Sequence, residues 1–190
     1  MDCTDKIKNA SFDGDWTRKT HTGQEFGEVY TPQGWVSWWD PDEKYRRPEQ
    51  HVIRPVEPFL DPPRVLEGNG AVKAFTMFGR QHAGVYQTVS GLVPRRKYRF
   101  YASAHAWSAH QGETQVDDPH CSAGVGCGPI FIPEDEIPEP NGDPLNDAIG
   151  NFLFNVGVQL SGDPDPFSDD VIWGPGAAIY NGYHEVPAVE

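Results

Sequence analysis

The chain has 190 residues, with 15 basic against 28 acidic side chains and a net charge of −13. That balance excludes a nucleic-acid partner, because phosphate contacts need clustered Lys and Arg. The 20 Gly and 18 Pro residues speak against a helical bundle and for many strands joined by long loops.

Residues 9–15 open the fold as a short strand that ends in the Asp13-Gly14 turn. Residues 20–27 are polar and read as loop. Trp35, Trp38 and Trp39 then fall within five residues. One of these rings belongs in a core, and the crowding places at least one of the three in a groove or on a surface. Residues 45–63, rich in Pro, read as a long irregular excursion. Residues 64–70 give a strand end and a tight Gly turn, and residues 71–78 alternate as a central strand.

Residues 79–108 read as two strands joined by a turn at Ser90-Gly91 and Val93-Pro94. The second run, 97–107, has period two. Tyr98, Phe100, Ala102, Ala104 and Ala106 form one face, and Arg99, Tyr101, Ser103, His105 and Trp107 the other. The second face is polar but aromatic, which a purely solvated face rarely is. Residues 119–147 form a long acidic loop within the domain. Residues 151–160 make another strand, with Phe152, Phe154, Val156, Val158 and Leu160 inward and Leu153, Asn155, Gly157 and Gln159 outward. A turn at 162–170, a short strand at 171–173 and a last strand at 180–189 complete the chain. No amphipathic helix and no repeat is visible. The expected fold is all-β: one domain, a two-sheet antiparallel β-sandwich of jelly-roll type with long loops.

The aromatic face suits sugar. Flat rings pack against sugar C–H groups, and planar amides meet hydroxyls. Tyr101, His105 and Trp107 supply the rings, Gln87, Asn155 and Gln159 the amides, and Trp38 and Trp39 a second aromatic source. The same face also suits burial against another protein. Asp13, Asp163 and Asp165 have the oxygen chemistry of a structural calcium site, with plain turn chemistry as the rival. Cys121 and Cys127, six apart in a Gly-rich stretch, suit a disulfide in an oxidising compartment. Zinc beside His120 is the rival, and Cys3 is the odd thiol. No apolar run reaches membrane-spanning length. Neither a nucleophile elbow, a phosphate loop nor a zinc-protease motif occurs, so no enzyme is expected.

Several stretches share an order with a known family. The opening Asn9-Ala10-Ser11-Phe12-Asp13, the run Arg64-Val65-Leu66-Glu67-Gly68-Asn69-Gly70-Ala71, then Ala83-Gly84-Val85-Tyr86-Gln87-Thr88-Val89 and Lys97-Tyr98-Arg99-Phe100-Tyr101-Ala102 together resemble jelly-roll carbohydrate-binding modules. The resemblance implies a calcium-stapled sandwich that binds glycans without cleaving them, outside the cell or on a particle. Ser11 stands where the modules carry Gly, and Glu190 falls about where their closing hairpin begins. A sheet edge near the first strand or residues 180–189 is therefore expected to be covered by another polypeptide or by residues 119–144. This leaves an alternative of another class: a structural assembly protein, such as a virion decoration, fibre or sheath subunit. Its partners would be neighbouring subunits, in a homo-oligomer or through a shared strand.

Overall fold

The computed structural model describes residues 2–55, 65–76, 81–105, 153–162, 164–178 and 183–190. Trp107, Cys121, Cys127, Asp163 and the acidic segment 119–147 lie outside the described residues. Among those described, regular structure is almost entirely strand, with a single 3-10 turn at Thr4–Lys6. Every named strand pair is antiparallel. The all-β expectation holds at that level. No described helix is long and apolar enough to cross a membrane.

The chain divides into two compact units. The first, Met1–Lys97 with Gln159–Val171, holds β1 (Trp16–Thr17), β2 (Thr31–Pro32), β3 (Val36–Trp39), β4 (Glu49–Ile53), β5 (Ala71–Phe75) and β6 (Ala83–Tyr86). They pair as β1–β2, β3–β6 and β4–β5. Two isolated parallel bridges, Thr20 to Ser37 and Val29 to Gln50, stitch these pairs together. The core contains Val29, Val36, Trp38 and Trp39, yet its centre is polar. Gln50 of β4 is 1 % exposed and donates from Nε2 to Ser37 Oγ at 2.5 Å and to the Tyr30 carbonyl at 3.1 Å. The Thr31 and Ser37 hydroxyls lie 2.7 Å apart. Gln50, Ser37 and Thr31 thus partner one another, which keeps a polar centre tolerable.

β4 lies inside the stretch read from sequence as irregular. It begins just after the buried Pro48, and its alternation puts Gln50 inward and Glu49 and His51 away from Gln50. An amide at the most buried position hid the strand from hydropathy. The opening also differs from expectation. Residues 9–12 form a turn rather than a strand, with the Phe12 amide donating to the Asn9 carbonyl at 3.1 Å. Asn9 and Phe12 both hold a positive φ, 51° and 56°. The Asn9 side chain secures the turn by accepting the Gly14 N–H at 2.9 Å.

The second unit, Tyr98–Val158 with Ile172–Glu190, holds β7 (Phe100–His105), β8 (Leu153–Phe154), β9 (Gly157–Val158), β10 (Ile172–Trp173), β11 (Ala177–Ala178) and β12 (Tyr183–Val189). The two strands read in residues 79–108 are β6, which pairs with β3, and β7, which pairs with β12. Their connector turns at Gly91 and Arg95, both at positive φ. The single strand expected over 151–160 is two short ones. β8 pairs with β11 and β9 with β10, and between them Asn155 and Val156 stand opposite Gly174, Pro175 and Gly176. That extra residue is a bulge. A second irregularity falls between Val186 and Val189, at Pro187, which has no N–H for the ladder.

Candidate ligand-binding site

The residues expected to bind a ligand divide between the units. Tyr101, His105 and Asn155 belong to the second, and Gln87, Gln159, Trp38 and Trp39 to the first. Tyr101 is 58 % exposed on β7. The His105 ring packs against Tyr183 at 5.2 Å. Asn155 donates to the Gly174 carbonyl at 3.1 Å, and so serves the bulge. Gln87 is engaged twice by backbone: its Oε1 accepts the Lys8 N–H at 2.9 Å and its Nε2 donates to the Lys8 carbonyl at 3.0 Å. Gln159 Nε2 is buried with no hydrogen-bond partner among the described residues. Trp38 and Trp39 are buried, not set in a groove. Trp38 packs against His82 at 5.2 Å and Phe167 at 5.4 Å, and Trp39 against His21 at 4.8 Å and Phe26 at 5.2 Å. Their neighbours are aromatic on both sides, so these rings supply packing.

The fit to calcium can be judged at Asp13 and Asp165. The Asp13 carboxylate accepts the Asn69 N–H and, at 2.9 Å, the Ser11 hydroxyl. Those two bonds, with the Arg54 charge beside them, hold its pKa below the ordinary 3.8. The carbonyls around it are taken by Arg54 (below), so the set does not fit a metal ion. Asp165 accepts the Phe167 N–H at 2.9 Å, an Asx turn of the kind Asp-Pro sequences favour. Burial first, and then the Asp165 charge, push the Tyr86 phenol up.

Another open aromatic arrangement lies in the first unit. Trp16 on β1 is 47 % exposed. The edge of Tyr30 supports its ring at 4.5 Å and 77°. Tyr30 stacks on His51 at 5.4 Å, and His51 on Phe75 at 5.7 Å, so four rings run in succession from β1 to β5. Arg18 lies 4.6 Å over Tyr30 and 5.5 Å from Trp16. It is held there because Nη1 donates to the Phe26 carbonyl at 2.8 Å and the Gly27 carbonyl at 2.6 Å. Beside it opens a depression of about 340 Å³, lined by Thr17, Arg18, Lys19, Thr20, Gly23 and Glu25. An exposed indole in a fixed orientation, with Arg18 shared between its ring and the wall of the hollow, can hold a ligand with one apolar face and several hydroxyls.

Sequence reasoning missed this site. Its signal was the period-two pair Trp16 and Arg18, directly after the Asp13-Gly14 turn. The other three rings come from distant positions, Tyr30 just before β2, His51 on β4 and Phe75 on β5, and the pairing of β4 with β5 and the bridge at Val29 assemble them. Comparison with protein-family models, curated proteins and solved structures finds no match.

Proposed function

We propose that the chain is a non-catalytic glycan-binding module, a two-sheet antiparallel sandwich of jelly-roll type working outside the cell or on a particle surface. The observation that carries this reading is Trp16: a tryptophan open to solvent, braced by Tyr30 and by Arg18, which also lines the hollow with Thr17 and Glu25. The ordered motif resemblance supports the same reading. Sugar C–H groups stack on the indole, and the Lys19 and Glu25 side chains meet hydroxyls at the rim. The volume of the hollow sits at the lower end of the range for small-ligand sites, about 300–1,000 Å³, which suits one or two sugar units.

A glycan array probed with the wild-type chain and with Trp16→Ala tests this. Wild type binds a subset of glycans and Trp16→Ala weakens that binding at least about tenfold, about 1.4 kcal/mol. Because Trp16 is half in solvent, the variant stays folded; truncating a core aromatic costs about 3–5 kcal/mol by contrast. Tyr101→Ala serves as the comparator. If Tyr101→Ala abolishes binding while Trp16→Ala leaves it intact, the ligand sits on β7 and the Trp16 assignment fails. If wild type binds no glycan, the reading itself fails.

A second reading rests on its own observation. Leu153, Ile172 and Trp173 of the second unit are exposed strand residues, and Leu160, in a bend of the first unit, is 81 % exposed. Large apolar side chains left open on short strands favour contact with another protein, as in an assembly subunit.

A further inference from the structure

Four backbone carbonyls converge on one cation, and that cation is a side chain. Arg54 follows β4. Its Nη1 donates to the carbonyls of Phe12 at 3.0 Å and Asn69 at 3.1 Å and approaches that of Asp13 at 3.4 Å; its Nη2 donates to the Gly14 carbonyl at 2.8 Å. The Asp13 carboxylate completes the negative shell, itself tied to the Asn69 N–H and Ser11. The acceptors come from two loops, one at 12–14 and one at 69, that are distant in sequence from each other and from Arg54.

The shell is built at some cost. Phe12, not a glycine, is held at φ 56°. Gly70 must lack a side chain, since a Cβ there would stand 2.1 Å from the Phe12 carbonyl oxygen and 2.8 Å from Arg54 Nη1. Gly68, at φ 67°, would place a Cβ 2.8 Å from Asp13 Oδ2. Carbonyls turned inward on a common point repel one another unless a positive charge sits among them. A guanidinium offers five N–H groups in a rigid fork and keeps its charge at every working pH.

We infer that the Arg54 guanidinium is the built-in cation of this loop cluster, standing where a carbonyl-and-carboxylate cage would otherwise take a divalent metal. The calcium expected at Asp13 is thus replaced by a charge encoded in the chain. The consequence reaches the surface, because residues 12–14 lead directly into β1 and Trp16. Arg54 is a positioning residue for that strand, and the inference stands whether or not Trp16 binds a glycan.

Hydrogen exchange of the full chain, followed in peptides covering residues 9–14 and 66–70, tests it in chelator and in millimolar calcium. In wild type the protection of the Gly14 and Asn69 amides is the same in both. In Arg54→Lys, where a point charge cannot span four carbonyls, protection of those amides falls at least about tenfold, while amides in β3 and β6 are unaffected. Wild-type protection that drops in chelator and returns with calcium overturns the proposal, because a metal then holds the cage. So does an Arg54→Lys protein with unchanged protection. If Arg54→Lys fails to fold, the wild-type comparison in chelator and calcium decides alone.

Discussion

Gln50 shows how one side chain organises the first unit. Its amide joins the Tyr30 carbonyl to Ser37, and Ser37 meets Thr31, so three strands meet through side-chain hydrogen bonds rather than through apolar packing alone. Gln50→Leu keeps the volume but orphans the Tyr30 carbonyl. It costs about 1–3 kcal/mol, seen as a lower urea midpoint with an unchanged slope. Asp13 gives a pH prediction. The Asn69 N–H first, then Ser11 and Arg54, depress its pKa in the folded state. A depressed carboxylate adds stability that is present above its unfolded value and lost as pH falls through the folded one. Wild type and Asp13→Asn therefore differ most in melting temperature near neutral pH, and the two curves converge toward about pH 2. A gap that stays constant across that range contradicts the assignment. At this scale the chemistry of Asp13 was visible in sequence as turn chemistry, while its partner Arg54, 41 residues away, was not.

Between strands, backbone approach decides what is allowed. Gly84 of β6 stands opposite Trp38 of β3, and a Cβ there would lie 2.9 Å from the indole Nε1 and 3.0 Å from Cε2. Both atoms belong to a buried ring packed on His82 and Phe167, so the ring has nowhere to move. Gly84→Val is expected to cost about 1–3 kcal/mol by overpacking and to alter the near-ultraviolet signal of the tryptophans; an unchanged spectrum and midpoint argue that the indole yields. The same scale explains what the sequence could carry. β5, β6, β7 and β12 were legible because they fall within the runs 71–78, 79–108 and 180–189 that read as strands from sequence. The strand at 151–160 was legible as a run, with Phe154, Val156 and Val158 less exposed than Leu153, Asn155 and Gly157. The alternation inverts at Gln159 and Leu160, where the chain bends toward Gly162 at φ 78°. Bulges of this kind depend on the facing strand, here Gly174-Pro175-Gly176, and no window on 151–160 alone contains them. β4 escaped because its inward position is Gln50, whose burial only the Ser37 and Tyr30 partners explain.

At the scale of the whole chain, charge and apolar exposure pull in opposite directions. A net charge of −13 makes copies repel, while Leu153, Ile172 and Trp173 offer apolar surface to a partner. Repulsion is long-ranged at low ionic strength and fades as the screening length shrinks, from about 10 Å at 0.1 M salt to about 3 Å at 1 M. Apolar contact persists through that change. If the second unit's open strands are an assembly surface, sedimentation will show association that strengthens with salt, and Ile172→Lys will abolish it at every salt concentration by placing a charge in the contact. A chain that stays monomeric from low to high salt, with Ile172→Lys indistinguishable from wild type, removes the assembly reading and leaves the proposed glycan reading at Trp16 to stand on its own test.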